Sequence, residues 1–228
     1  MIAALGRLSA TRIARSSRLW LSLGVWGLLA LAFAIFARKE GWGHGADRVL
    51  SSFYGGLALP FMACAVARAA FGGRSMSSST APLVALGVSP WRAALASICV
   101  AALATAIVGA LLAASVAVIA HGAADPPRGR DAIASAYAGG LGGAAYAAWF
   151  ALGTTIGRRG GGRLVLLGAD WLLGGAGAAT AFATPRGHLR NLLGGDSPMN
   201  ISERSSSVML LALMAACTIL ACQNARKR

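Results

Sequence analysis

The chain has 228 residues, of which 57% are hydrophobic and 12% charged, and it carries a net charge of +14. So apolar a composition excludes an ordinary soluble domain. The arginines gather in alternate gaps between apolar stretches rather than on one face or along one helix, so nucleic acid is not the expected partner despite the charge.

Residues Ile2–Arg18 read as an amphipathic helix: Ile2, Leu5, Leu8 and Ile13 share one arc at helical spacing, with Arg7, Arg15 and Arg18 roughly opposite. Arg12 breaks the pattern by standing on the apolar arc. Two readings remain open, a helix lying on anionic lipid headgroups or a basic leader that only fixes orientation. No persuasive cleavage site follows, so Leu19–Ala37 is expected to stay as a membrane span.

Six apolar stretches follow one another, over about 19–37, 49–67, 93–120, 132–157, 164–185 and 205–223. A helix of about 20 apolar residues crosses a bilayer. The expected fold is therefore an all-α membrane protein, one transmembrane domain over 1–228 with six transmembrane helices behind the amphipathic one. Thirteen basic residues and no acid fall before span one, between spans two and three and four and five, and after span six. The opposite side carries eight basic and six acidic residues. Basic residues are retained in the cytoplasm, which predicts that both the N- and C-termini are cytoplasmic.

The inner gap between spans two and three holds the segment 75–91. Ser77, Ser78, Ser79 and Thr80 offer helix caps, Pro82 suits a first turn, Gly87 a stop and Pro90 the next entrance. The spacing predicts a short helix over Ala81–Leu86, roughly parallel to the membrane, offering Leu83, Val84 and Leu86 to a partner. In span four, Gly139-Gly140 and Gly142-Gly143 are natural close-packing faces, as is the run Gly174-Gly175-Ala176-Gly177 in span five. An Ala- and Gly-rich proteome would write its helices the same way. Asp170 is the only charge inside any span. An intramembrane carboxylate is a functional candidate, but Arg163 lies less than two turns away, so structural pairing with it or another inner arginine is the competing reading. Beyond span five, Leu189, Leu192 and Leu193 predict a short interfacial helix in the outer segment Thr184–Arg204.

Motifs for chemistry are missing. There is no Gly-x-x-x-x-Gly-Lys phosphate loop, and Gly160-Gly161-Gly162 lacks the strand-to-helix setting of a nucleotide cradle. His44, His121 and His188 fall in three outer loops without zinc spacing. Cys64, Cys99, Cys217 and Cys222 sit in or at the ends of spans and read as packing residues. No catalytic, cofactor or metal residue is expected.

Six spans, an amphipathic N-terminal helix and an inner helix between spans two and three resemble the short permeases of type-2 ABC transporters. Leu83-Val84-Ala85-Leu86-Gly87-Val88-Ser89-Pro90-Trp91-Arg92 resembles that family's coupling segment. Pro185 through His188-Leu189, Leu193-Gly194-Gly195 and Ser205 looks like its re-entrant outer region. The resemblance implies an export permease in the inner (cytoplasmic) membrane of a bacterium, paired with a second permease copy and driven by cytosolic ATPase subunits that hold ATP and Mg. It also implies ATPase-coupling roles for Ser78, Ser79, Thr80, Leu83, Val84, Leu86, Gly87 and Arg92. A second resemblance, to lipopolysaccharide-extracting permeases, covers Pro60 through Pro90, but His121–Asp131 leaves no room for their periplasmic β-domain. A non-transporting membrane anchor or assembly factor, and an integral-membrane enzyme centred on Asp170, are the readings from other classes.

Overall fold

Long apolar runs rich in Leu and Ala, punctuated by Gly and Pro, fold here into helices alone. The computed structural model describes residues 2–157, 159–175 and 179–226, and no strand occurs among them. In order come α1 (Ile2–Ala14), α2 (Ser17–Lys39), α3 (Gly45–Arg48), a π-helical stretch (Val49–Ala58), α4 (Leu59–Ala70) and α5 (Met76–Ala85). Then follow α6 (Pro90–Ala120), α7 (Arg128–Thr154), α8 (Gly162–Leu173), a 3-10 turn (Ala179–Ala183), α9 (Pro185–Leu192), a second 3-10 turn (Pro198–Asn200) and α10 (Glu203–Arg226). The segment from α3 through α4 is continuous over Gly45–Ala70.

Four helices are long and apolar enough to cross a membrane: Ser17–Lys39, Gly45–Ala70, Pro90–Ala120 and Glu203–Arg226. Their outer surfaces agree with a lipid solvent. Leu21 and Leu28 on α2, Leu103 and Leu111 on α6 and Val208 on α10 are all exposed, a pattern that water would penalise over so large a contiguous area. The chain is an integral membrane protein. α7 has 27 residues, length enough for a crossing, but its Gly and Ala content makes it less apolar. It packs against α4, α6, α8, α9 and α10 and runs through the middle of the bundle.

Close approach of backbones brings α6 and α7 together. A Cβ on Gly139 would meet Ala113 Cβ and Tyr54 Oη at 2.7 Å, and one on Gly143 would meet the Thr105 carbonyl oxygen at 2.5 Å. Tyr54 Oη donates to the carbonyl of Gly109 at 2.7 Å, which closes the same seam from the π-helical stretch. Gly139 and Gly143 are therefore contact positions in their own right, not only a compositional habit. Gly175, by contrast, faces open space, and Ala176 and Gly177 lie outside the described residues. One core cluster centres on Tyr54, Leu59, Tyr146, Phe150 and Leu189. A second, at the end of the bundle that holds α1 and α5, contains Leu19, Val66, Phe71, Met76, Ile98 and Ala225.

Two expectations are corrected. The stretch 164–185 is not one helix: α8 stops at Leu173 after 12 residues, about 18 Å of rise. Gly174 and Gly175 weaken the helix there, and Thr180 Oγ1 instead takes up the Leu173 carbonyl at 2.9 Å. The helix containing Leu189 is not interfacial either. α9 dips into the bundle, where Leu189 and His188 are fully buried and Leu189 fills the space left by Gly142.

Candidate functional site

At the end of the bundle that holds this second cluster, α5 begins one turn earlier than the serine run predicts. Ser75 is the N-cap, accepting from the Ser78 amide at 3.5 Å, and Pro82 lies inside the helix. The stop falls at Gly87, whose φ of +84° suits only glycine. The amide of Val88 donates to Leu83 O at 3.1 Å and that of Gly87 to Val84 O at 2.9 Å, the paired bonds of a Schellman ending.

The two faces of α5 differ sharply. Met76, Ser79 and Thr80 are buried against the bundle, and both hydroxyls donate back to the Met76 carbonyl. Ser79 and Thr80 are thus turned into the bundle, away from the exposed edge of α5. Ser78, Val84, Gly87 and Arg92 are exposed and Leu83 is half-buried. Leu86 is 81% exposed, and the Arg92 guanidinium lies over the Trp91 ring, 5.4 Å from its centroid.

Arg12, the misfit of the amphipathic pattern, ties this helix down. Its guanidinium donates to Ser79 O at 3.2 and 3.3 Å and reaches Ala70 O at 3.5 Å, so one side chain joins α1, the end of α4 and α5. Burial, and then the neighbouring charge of Arg74, lower its pKa, but a guanidinium keeps its proton in proteins. Ser9 Oγ donates to Ser97 Oγ of α6 at 3.0 Å, and Gly6 sits against Val100. Leu5, Leu8 and Ile13 are half-buried and Arg7, Arg15 and Arg18 exposed, while the Ile2 side chain lies outside the described residues. The helix is docked on the protein through Gly6, Ser9 and Arg12, which lie on or beside the arc of Leu5, Leu8 and Ile13.

Beside α1 an inner cleft of about 720 Å³ opens between α2, α4 and α8. Arg12, Arg15, Arg18, Arg68, Arg159 and Arg163 line it together with apolar Leu19, Phe61, Leu164 and Leu167. No acidic side chain lines the cleft or pairs with these arginines among the described residues. Arg163 is only 7% exposed, and its Nη1 has no hydrogen-bond partner. Arg158 lies outside the described residues.

Asp170 is buried, but Arg163 is not its partner. The Tyr146 hydroxyl donates to Asp170 Oδ2 at 2.8 Å, and the backbone amide of Arg186 donates to Oδ1 at 3.2 Å. The carboxylate therefore sits at the N-terminal turn of α9, where helix amides favour negative charge. Arg186 further donates from Nη1 to Trp171 O at 3.0 Å. One turn on, a directional chain fixes α9 to α10. Asn191 donates to Ser206 Oγ at 2.8 Å, Ser206 faces His188 Nδ1 at 3.4 Å, and His188 Nε2 faces Phe182 O at 2.8 Å. Since the Phe182 carbonyl only accepts, the ring proton is assigned to Nε2.

No protein-family model and no curated protein matches this chain. The site must be read from its own chemistry. Its residues fall into three groups: an exposed apolar helix edge, a basic cleft, and a carboxylate that holds a broken helix. Sequence reasoning found the first and the last. It missed Tyr146, Arg186 and the tying role of Arg12, whose one signal was a lone arginine on an apolar arc.

Proposed function

We propose that this chain is the permease subunit of a type-2 ABC exporter, driven by separate ATPase subunits through α5. The observation that carries the proposal is α5 itself. It is pinned to the bundle by Arg12 on one face and leaves Leu86, Val84 and Trp91 uncovered on the other. A loop that merely connects two spans has no need of apolar residues in that position. In this reading the chain crosses the membrane six times with both termini in the cytoplasm of a bacterium. α7, and α8 completed by the 3-10 turn and α9, add two crossings to the four long apolar helices.

ATP and Mg reside in the partner, where closure of the ATPases pushes on α5. Its bond to Arg12 of α1, which also reaches the end of α4, and its packing on α6 pass that movement to the spans as a rigid body, and a second permease copy completes the pathway. Leu83, Val84 and Leu86 make the apolar contact, with Ser78, Gly87 and Arg92 at its margin. The inner cleft gives the substrate its chemistry: six arginines without counter-charge suit an anionic head, and the apolar wall suits a hydrocarbon tail. The reading is of an exporter for an anionic amphiphile.

Tagged chain purified in mild detergent, followed by mass spectrometry of its companions, tests this. An ATPase with a phosphate loop should co-purify, and be lost in Leu86→Asp and reduced in Arg12→Ala, while both variants still elute as folded chain. Well-folded wild-type chain without an ATPase sinks the proposal and favours a membrane anchor.

A further inference from the structure

Two outer connections that are distant in sequence, α2–α3 and α6–α7, converge on Asp125. Its Oδ2 accepts from the amides of Gly122 at 2.8 Å and Ala46 at 3.0 Å, so the carboxylate is locked in orientation and its Oδ1 is left over. That side chain is fully buried, and Oδ1 has no hydrogen-bond partner. Asp131, in the first turn of α7, repeats the arrangement: it is 6% exposed, Oδ1 accepts from Ser135 at 3.4 Å, and Oδ2 is unpartnered. His121, which ends α6, buries an unpartnered Nδ1. These three residues offer ligand atoms within 4.8 Å of one another, as do His44, Asp47 and Asp125.

Two buried acids with free oxygens would ordinarily find a cation. The chain has 21 lysines and arginines, yet none pairs with an acid among the described residues. The nearest approach is the largely exposed His44, whose Nδ1 lies 3.7 Å from Asp125 Oδ1 and 3.8 Å from Asp47 Oδ2. Burying charged oxygens without a partner is costly, and imidazole beside carboxylate is the donor set of zinc.

We propose that the outer face binds one zinc ion, held by His121, Asp125 and Asp131, with His44 as the fourth ligand. The ion clamps the α2–α3 connection to the α6–α7 connection. A tetrahedral ion with ligands at about 2.0 Å sets its donors roughly 3.3 Å apart, so small side-chain rotations close the present spacing of His121, Asp125 and Asp131, and the exposed His44 side chain swings in from beside Asp125. The orienting bonds that a metal site needs are already made by Ala46, Gly122 and Ser135. An entry path exists as well, because His44 and Asp47 line an open outer cleft of about 910 Å³. The site is independent of the transport reading and lies at the opposite end of the fold from α5.

The test uses full-length protein in detergent, stripped with EDTA, dialysed against zinc and analysed for metal by mass spectrometry. One zinc per chain is expected, with a higher melting temperature than the stripped protein. Asp125→Asn keeps an oxygen for the Ala46 and Gly122 amides, so it should fold and yet weaken zinc binding at least tenfold. His121→Ala should do the same. The cysteines are present in every variant, so equal zinc content in wild type and both variants overturns the site. So does wild type that takes up no zinc, or that takes calcium in preference to it.

Discussion

Asp170 shows how a residue that reads as chemistry in a sequence can act as a fastener. Both of its oxygens are engaged, one by the Tyr146 hydroxyl and one by the Arg186 amide. Replacement by Asn keeps an oxygen for one donor and is expected to be mild. Asp170→Ala leaves a buried hydroxyl and a helix-terminal amide unpaired, a loss of about 1–3 kcal/mol for each. Thermal unfolding in detergent should therefore rank wild type, Asn and Ala in descending order. An Asn variant that is as unstable as Ala would mean that the charge itself is needed. Nothing in the sequence names Tyr146 as the partner: the two residues stand 24 apart, while Arg163 is closer in sequence and opposite in charge.

At the scale of elements, most of the helices were legible and one was not. Five of the six apolar stretches sit within longer helices or nearly so, because charged or Gly/Pro-containing gaps stop them where hydropathy falls. The 164–185 stretch deceived because hydropathy does not register the conformational cost of Gly174 and Gly175. Gly174 is a close-packing position, where a Cβ would meet Arg186 Cβ at 2.8 Å, and with Gly175 it also breaks the helix. The inner helix was legible from Gly87 and Pro90, though its start was set by Ser75 and not by the serines after it. The histidine–aspartate cluster was missed because His121, Asp125 and Asp131 do not follow a recognised zinc spacing along the α6–α7 connection, and His44 comes from the α2–α3 connection. Among the elements, the α6–α7 seam is the most exposed to a single change. Gly143→Leu would drive a side chain into the Thr105 carbonyl, where the backbone cannot yield. Overpacking of this kind costs about 1–3 kcal/mol, and at a backbone contact the upper end is expected. The variant should aggregate on size-exclusion chromatography, whereas Gly175→Ala, facing open space, should behave as wild type.

The whole molecule has an electrical polarity that matches its two ends. The inner end holds the arginine cleft and α5. The opposite end holds six of the seven acidic residues, Glu40, Asp47, Asp125, Asp131, Asp196 and Glu203. This division was readable from charge counts alone, since retention of basic residues depends on composition and not on tertiary contacts. It predicts that an impermeant thiol reagent added to intact cells labels Asp196→Cys and not Leu86→Cys, with both labelled once the membrane is opened. Labelling of Leu86→Cys in intact cells would invert the topology and remove α5 from any cytosolic motor.

The early end of α8 has a consequence for the lipid around it. This helix shows Leu164, Val165, Leu172 and Leu173 to the outside, but only over about 18 Å, against a hydrocarbon layer of about 30 Å. Beyond Leu173 the chain turns through Gly174 and Gly175 instead of continuing as an apolar rod. On the six-crossing reading we propose, the bilayer is expected to thin along this flank to match it. A dimple of that kind beside the arginine-lined cleft would shorten the distance a charged headgroup travels between leaflets.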